Sequence, residues 1–193
     1  AWRRFRRYFR VIGPGSRLVR RTLLAGLEKD LGRRERALPG DGLLPDAADQ
    51  MTHAVTIAAP PERVWPWLVQ MGRGRAGWYS IDIVDNGGAR SARELHPELA
   101  DLAVGDVLPA TPSGDTGFEV LAIDEGRALV LGGLWDADAG HQRPFHAPRP
   151  RRHWHATWAF ALEPLGGDAT RLHVRARVAF PALILLASLA SAT

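Results

Sequence analysis

The chain contains no cysteine, which excludes a disulfide framework, a thiol nucleophile and a metal site with cysteine ligands. Lysine is almost absent too, since Lys29 is the one lysine among 25 basic residues. This bias toward arginine, alanine, glycine and proline indicates genome composition rather than a chemical requirement. No apolar run reaches the ~20 residues that a membrane-spanning helix needs. A cleavable signal peptide is not predicted either, because the sequence starts arginine-rich and has no apolar h-region.

With 193 residues, 46% of them hydrophobic, the chain is large enough for one core. One domain with an N-terminal appendage is the simplest interpretation. The net charge of +4 is unevenly spread: residues 1–36 carry twelve basic and three acidic residues, and the remainder carries 13 basic and 18 acidic ones. A basic arm of charge +9 on a domain of charge −5 predicts contact with a membrane surface or another polyanion near the N-terminus.

Residues 1–36 are predicted to form a basic helical arm. Trp2, Phe5, Phe9 and Ile12 recur at helical spacing, and a second helix is expected over residues 16–31. An apolar stripe flanked by arginines is typical of a helix that lies in a lipid interface. The alternative is that the stripe packs on the domain's own surface. The predicted membrane contacts are the four stripe residues with Arg3, Arg6 and Arg10.

The segment 37–50 is rich in proline, glycine and aspartate and is predicted to be a linker or a strap across the domain. A strand is expected over 51–58 and a helix over 61–71, because two prolines end the strand and the second suits a first helical turn. Val64, Trp67, Leu68 and Met71 then form one helical face.

Alternating and turn-rich patterns predict the rest of the chain. A short helix is expected over 78–86 and a long loop over 136–152. On the strand near 153–163, His153 and His155 should share one face and Trp158 and Phe160 the other. The expected strands are 106–110, 117–124, 127–134, 153–163 and 169–180.

The opening strand, the Ala-Pro-Pro-Glu-x-Val-Trp sequence at 59–65 and the following helix resemble the helix-grip superfamily, also called START, Bet v 1-like or SRPBCC. The stretches 65–72, 77–86, 91–99 and 104–106 resemble a bacterial, polyketide-cyclase-like branch of unknown role. Residues 38–41 and 157–164 also resemble that branch, so the likeness runs from about Leu38 to Val178.

The resemblance implies an α+β helix-grip fold, in which a curved antiparallel sheet wraps on a C-terminal helix, here preceded by the N-terminal helical arm. The implied domain covers 51–193. Its gripping helix would start near residue 182, so the chain ends in either a short helix or a longer one that has been cut. Members of the superfamily bind lipids, sterols or polyketides, and some are cyclases, dehydratases or hydrolases.

Two sets of side chains are candidates for ligand contact between sheet and helices. One is aromatic and could equally be plain core. The other is polar, and helix capping and loop bracing is the favoured interpretation of its Asp82 and Asn86. Tyr79 and Asp82 are also weak candidates for acid/base catalysis. The predicted ligand-binding residues are Trp67, Gln70, Trp78, Tyr79, Asp82, Asn86, Trp158 and Phe160.

Four histidines, His141, His146, His153 and His155, fall in or beside the arginine-rich loop. Two on one strand face could share a metal. However, no acid lies nearby in sequence and the arginines repel a cation, so a solvated basic loop is favoured and no metal or cofactor is predicted. Nucleic-acid binding is not predicted, because the domain itself is acidic and lacks an RNA-binding motif.

The leading hypothesis is a protein that binds an apolar or amphipathic small molecule, lipid- or polyketide-like, in a cavity between sheet and helices, at or near a membrane surface. The alternatives are a cyclase, dehydratase or hydrolase that uses the same cavity, and a regulatory module with a filled core. A cytoplasmic location is expected, with membrane association through the arm. The sequence leaves the ligand and the oligomeric state open.

Overall fold

The computed structural model describes residues 36–80, 82–110, 116–166 and 168–180. The predicted arm, except for Arg36, and the predicted C-terminal helix lie outside the described residues. The described part is an α+β structure that is mostly sheet. Its strands are β1 (Asp49–Ile57), β2 (Val107–Pro109), β3 (Gly117–Asp124), β4 (Ala128–Asp136), β5 (His141–Arg143), β6 (His153–Leu165) and β7 (Ala169–Ala179), and its helices are α1 (Pro61–Val69) and α2 (Asp82–Asp85), with 3₁₀ turns at Asp41–Leu43 and Pro97–Leu99.

The seven strands form one antiparallel sheet in the order β1-β7-β6-β4-β3-β2, and β5 pairs with the end of β4. The first strand therefore lies beside the last one, so the sheet joins the two ends of the described chain. A register shift in β3 between Val120 and Ala122 marks a bulge, which locally bends a strand and increases its twist.

Helix α1 begins where the sequence predicts. Pro60 is extended and Pro61 occupies the first turn, where its missing N–H costs no hydrogen bond. The helix buries Val64 and Leu68 against one side of the sheet. This side, which also carries Phe160, is called the helix face below.

The alternation predicted for β6 is confirmed. Trp158 and Phe160 lie opposite Leu131 and Leu129 of β4, on the helix face. His153 and His155 occupy the opposite side, called the outer face below. Both faces of β6 are covered by other parts of the chain. For this reason almost the whole strand is buried, although polar and apolar residues alternate along it.

The segment from Arg36 to Ala48 contacts the outer face and so acts as a strap rather than a free linker. Arg175 of β7, only 2% exposed, donates to the Arg36 carbonyl oxygen at 2.8 Å and to Asp41 Oδ2 at 2.6 Å. Arg177 donates to the Leu44 carbonyl oxygen at 3.2 Å. Leu44 itself is fully buried. A strap of this kind covers polar groups that would otherwise be solvated.

The loop after β5 covers the other part of the outer face. Phe145 is buried there, and its backbone N–H donates to Glu119 Oε2 at 2.8 Å. A Cβ atom on Gly132 of β4 would lie 2.6 Å from the Phe145 ring, so glycine at this position lets the loop approach the sheet closely.

Most predicted elements are present, with boundaries that differ by a few residues. Two predictions need correction. The helix predicted over 78–86 comprises only Asp82–Asp85, because Trp78, Tyr79 and Ser80 have non-helical conformations. The predicted loop 136–152 contains the short strand β5, whose pairing with β4 no local pattern indicates.

Candidate functional site

The turn that follows α1 brings the predicted polar residues to the edge of the helix face. Gly72 and Gly77 pair through two backbone hydrogen bonds and both have positive φ. Arg75 within this turn donates to the carbonyl oxygens of Met71 at 3.1 Å and Val69 at 3.2 Å. A cation at a helix C-terminus satisfies carbonyls that have no partner within the helix. The turn is therefore anchored to α1.

Gln70 is the central polar residue of this region, and it is 2% exposed. Its Oε1 accepts a hydrogen bond from the His96 backbone N–H at 3.0 Å, and its Nε2 donates to the Glu94 carbonyl oxygen at 3.3 Å. Nε2 also donates to the Tyr79 hydroxyl. One buried amide thus joins the end of α1, the segment 94–96 and Tyr79.

Tyr79 has an unusual backbone conformation, with φ of 53°. Within the described ranges, Asp168 is the only other non-glycine residue with positive φ. Such a conformation costs about 1–3 kcal/mol and persists only when surrounding contacts enforce it. The Tyr79 N–H donates to Ser91 Oγ at 3.1 Å, and the ring makes an edge contact with Trp67 at a centroid distance of 5.8 Å.

Asp82 braces the same serine. Its Oδ1 accepts hydrogen bonds from Ser91 Oγ at 2.6 Å and from the Ser91 N–H at 3.1 Å. Asn86 donates from Nδ2 to the Ala89 carbonyl oxygen at 2.8 Å and so braces the turn after α2. These contacts match the loop-bracing interpretation of Asp82 and Asn86.

Tyr79, Asp82 and Asn86 all fall within the helix predicted over 78–86, but they do not share a helix face, because Tyr79 precedes α2 and Asn86 follows it. Hydrogen bonds through Gln70 and Ser91 hold Tyr79 and Asp82 in one region instead, and the Asn86 N–H donates to the Asp82 carbonyl oxygen at 3.0 Å.

Asp85 of α2 is a buried carboxylate that the sequence does not single out. It is 2% exposed; Oδ2 accepts from the Ser80 hydroxyl, and Oδ1 has no hydrogen-bond partner in the described part of the chain. Neither Ser91 nor Asp85 was predicted as a site residue, because serine and aspartate in a glycine-rich stretch are typical of any turn.

The predicted aromatic residues form two groups. Trp78 stacks on Trp158 with centroids 5.7 Å apart, and Phe118 meets both rings edge-on at 5.5 Å. Phe160 lies 4.7 Å from Trp158. Trp67 contacts Tyr79 instead. Trp78 and Phe160 are buried, whereas Trp158 and Phe118 keep partial exposure, and Phe118 is the member that the sequence did not indicate.

The environment of Tyr79 favours the neutral form of its phenol. Burial raises the pKa of the Tyr79 phenol, and the hydrogen bond from Gln70 only partly offsets this effect. Tyr79 is therefore protonated at neutral pH.

The histidines of the outer face lie on the opposite side of the sheet from this region. His155 Nδ1 accepts a hydrogen bond from Arg149 Nε at 2.9 Å, and Arg149 in turn forms a two-bond ion pair with Asp46. Burial first, then Arg149 and His153, lowers the pKa of His155 to about 4. In the described ranges no cluster of three or more histidine or acidic side chains could hold a metal ion.

The predicted membrane contacts, Trp2 to Ile12 with their arginines, lie outside the described residues. Across the described ranges, no helix is both long and apolar enough to cross a membrane.

No protein-family model and no curated protein matches the chain. Solved structures to which it is similar include the Mll3558 protein from Rhizobium loti (18% identity, TM-score 0.38, covering 69% of this chain and 80% of that one). Protein MLL2253 from Mesorhizobium loti has 19% identity and a TM-score of 0.35 over 69% of this chain and 77% of that one. Protein Ms6760 from Mycobacterium smegmatis has 17% identity and a TM-score of 0.30 over 75% of this chain and 85% of that one. These similarities are too distant to carry a functional argument.

Proposed function

We propose that the protein binds an apolar or amphipathic small molecule, lipid- or polyketide-like, between the helix face of the sheet and the segments that follow α1. The supporting observation is the aromatic cluster of Trp78, Phe118, Trp158 and Phe160, in which Trp158 keeps partial exposure at the centre of a covered sheet. Indole and phenyl rings supply large apolar contact areas for a ligand. Burial of ligand surface at about 25 cal/mol per Å² would drive binding, before the entropic costs of association.

The polar groups beside the cluster favour binding over catalysis. Asp82, the candidate base, already accepts two hydrogen bonds from Ser91 through one oxygen. Tyr79 is held by Gln70, which carries no charge. The region therefore offers an oriented hydroxyl rather than an acid/base pair, and orienting an amphipathic ligand requires only the former.

The direct test is to purify the full chain from its own host, extract it with organic solvent and identify apolar molecules by mass spectrometry. We expect one class of molecule in near-stoichiometric amount. The same protein should bind the hydrophobic fluorophore 1-anilinonaphthalene-8-sulfonate after extraction. Absence of a co-purified molecule, together with no probe binding by the folded protein, would refute the proposal.

A pair of variants on β6 locates the site. Trp154 and Trp158 point to the same side of the strand, but Trp154 is 36% exposed and takes no part in the aromatic cluster. Trp158→Phe should weaken probe binding, and the matched Trp154→Phe control should not. Equal effects of the two substitutions would remove the aromatic cluster as the binding surface.

We further propose that the arm over residues 1–36 holds the protein on an anionic membrane. The arm carries a net charge of +9 around an apolar stripe, and each basic residue near an anionic leaflet contributes about 1 kcal/mol, screened by salt. The full chain should sediment with vesicles that contain phosphatidylserine at low salt. A full-chain variant with Trp2, Phe5 and Phe9 replaced by serine should not, and equal sedimentation of both would contradict this part of the proposal.

A further inference from the structure

The hydrogen bonds of Gln70 fix the role of the Tyr79 hydroxyl. The His96 N–H can only donate and the Glu94 carbonyl can only accept, so the Gln70 amide has one consistent orientation, with Nε2 toward Glu94. Tyr79 Oη must therefore accept a hydrogen bond from Nε2. The phenolic hydrogen remains available for a different acceptor. Among the described residues, Gln70 is the hydrogen-bond partner found for this hydroxyl.

The backbone directs this hydroxyl at a cost in strain. A positive φ is rare for a bulky residue, and here Ser91 Oγ and the Trp67 ring hold Tyr79 in that conformation. Tyr79 packs against the same buried core as Phe118 and Trp158 of the aromatic cluster. Strained residues of this kind concentrate where a ligand is clamped.

We propose that Tyr79 Oη donates a hydrogen bond to a carbonyl oxygen of the bound molecule, so that the ligand class is an apolar ring or chain that carries a ketone, ester or carboxyl oxygen. This inference rests on the proposed function, since it assigns the polar contact of the same site. Gln70 orients the hydroxyl and does not itself face the ligand. The aromatic cluster supplies the apolar surface on which the rest of the ligand lies.

The test uses 9-fluorenone and fluorene, which share a tricyclic shape and differ in the carbonyl group. Equilibrium dialysis against the full-length protein should show that fluorenone binds about two- to tenfold more tightly, the range expected for one net hydrogen bond. Tyr79→Phe should abolish this preference, so that fluorenone and fluorene bind the variant with equal affinity. Trp154→Phe, a change at an exposed tryptophan, should leave the preference intact.

A second measurement reports on the carbonyl contact directly. The infrared carbonyl band of bound fluorenone should lie at lower wavenumber than the band in an alkane solvent, as expected for a hydrogen-bonded carbonyl. In Tyr79→Phe it should return toward the alkane value.

The outcomes separate the two proposals. If both probes bind the wild-type protein equally, or if Tyr79→Phe keeps the preference, the carbonyl contact is refuted and the binding proposal survives. An unshifted carbonyl band refutes the contact in the same way. The Tyr79 hydroxyl would then donate its hydrogen bond to water instead of to the ligand. If neither probe binds, both proposals fail together.

Discussion

The ion pair between Arg175 and Asp41 offers the sharpest test of the strap. Arg175 is 2% exposed and Asp41 23% exposed, and the two side chains are joined at 2.6 Å. In the structure, the Leu38 N–H donates to Asp41 Oδ2 at 2.8 Å. Replacing Asp41 by asparagine keeps the side-chain volume and an acceptor oxygen for this N–H. The substitution therefore removes the negative charge that faces the buried Arg175 guanidinium and, at 3.6 Å, that of Arg177.

The expected cost follows from burial. Breaking a buried pair destabilises a protein by about 3–5 kcal/mol, because one charge stays buried without compensation. Arg175 retains hydrogen bonds to Thr52 Oγ1 at 2.9 Å and to the Arg36 carbonyl oxygen. Asp41 is also partly solvated. We therefore expect Asp41→Asn to lower the free energy of unfolding by about 3 kcal/mol, the lower end of that range.

Urea unfolding followed by tryptophan fluorescence measures this loss. The matched control is Asp138→Asn, which breaks the exposed Arg152–Asp138 pair, where the side chains are 66% and 48% exposed. That change should cost about 0–1 kcal/mol. Adding Arg175→Met to Asp41→Asn should recover part of the loss, since it removes the buried positive charge that has lost its contact with Asp41.

A cost for Asp41→Asn no larger than that of the control would refute the reasoning. So would strict additivity of the two substitutions in the double variant, because residues that interact directly should be coupled.

Three further predictions concern packing, backbone conformation and pH. Trp158→Ala should lower the free energy of unfolding by clearly less than the ~3–5 kcal/mol typical of a filled core, and it should reduce affinity for a hydrophobic probe. Thermal melts with and without the probe measure both effects, with Trp154→Ala as the control. A full core penalty without loss of affinity would contradict a ligand surface. Gly77→Ala should destabilise the protein and weaken probe binding, because the φ of Gly77 is +83° and the new Cβ would lie 2.9 Å from Ser91 Cα. A variant that melts at the wild-type temperature would disprove this prediction. Burial lowers the pKa of His155 from 6.5 to about 4. Between those pH values the unfolded chain binds more protons than the folded one, so stability should fall as pH drops from 6.5 toward 4. His155→Gln should flatten this part of the profile of urea midpoint against pH, and an unchanged slope would count against the prediction.

The local sequence was sufficient to predict six of the seven described strands and the first helix. Alternation on β6 and the two prolines before α1 depend on residues that are neighbours in the chain, and their geometry follows from the period of a strand and from the proline ring. The helix over 78–86 was predicted too long because local spacing suggested a helical face. Gln70 and Ser91 hold Tyr79 outside that helix.

The candidate site was predicted in composition but not in arrangement. Trp158 and Phe160 share a face because they are two residues apart on one strand. Their partner Phe118 comes from β3, 40 residues earlier than Trp158, and only strand pairing through β4 brings it there. The separate contact of Trp67 with Tyr79 likewise depends on the turn between them.

What the sequence by itself determined is therefore the position of most helices and strands and the side chains that share a face of each strand, since both follow from short-range periodicity and proline chemistry. The tertiary structure alone decided which polar groups are buried and with whom they pair. Arg175 and Asp41 are 134 positions apart, and Gln70 contacts residue 96 across two turns. The physical reason is that burial of a charge or an amide is tolerated only when a partner reaches it, and no local pattern encodes that long-range contact.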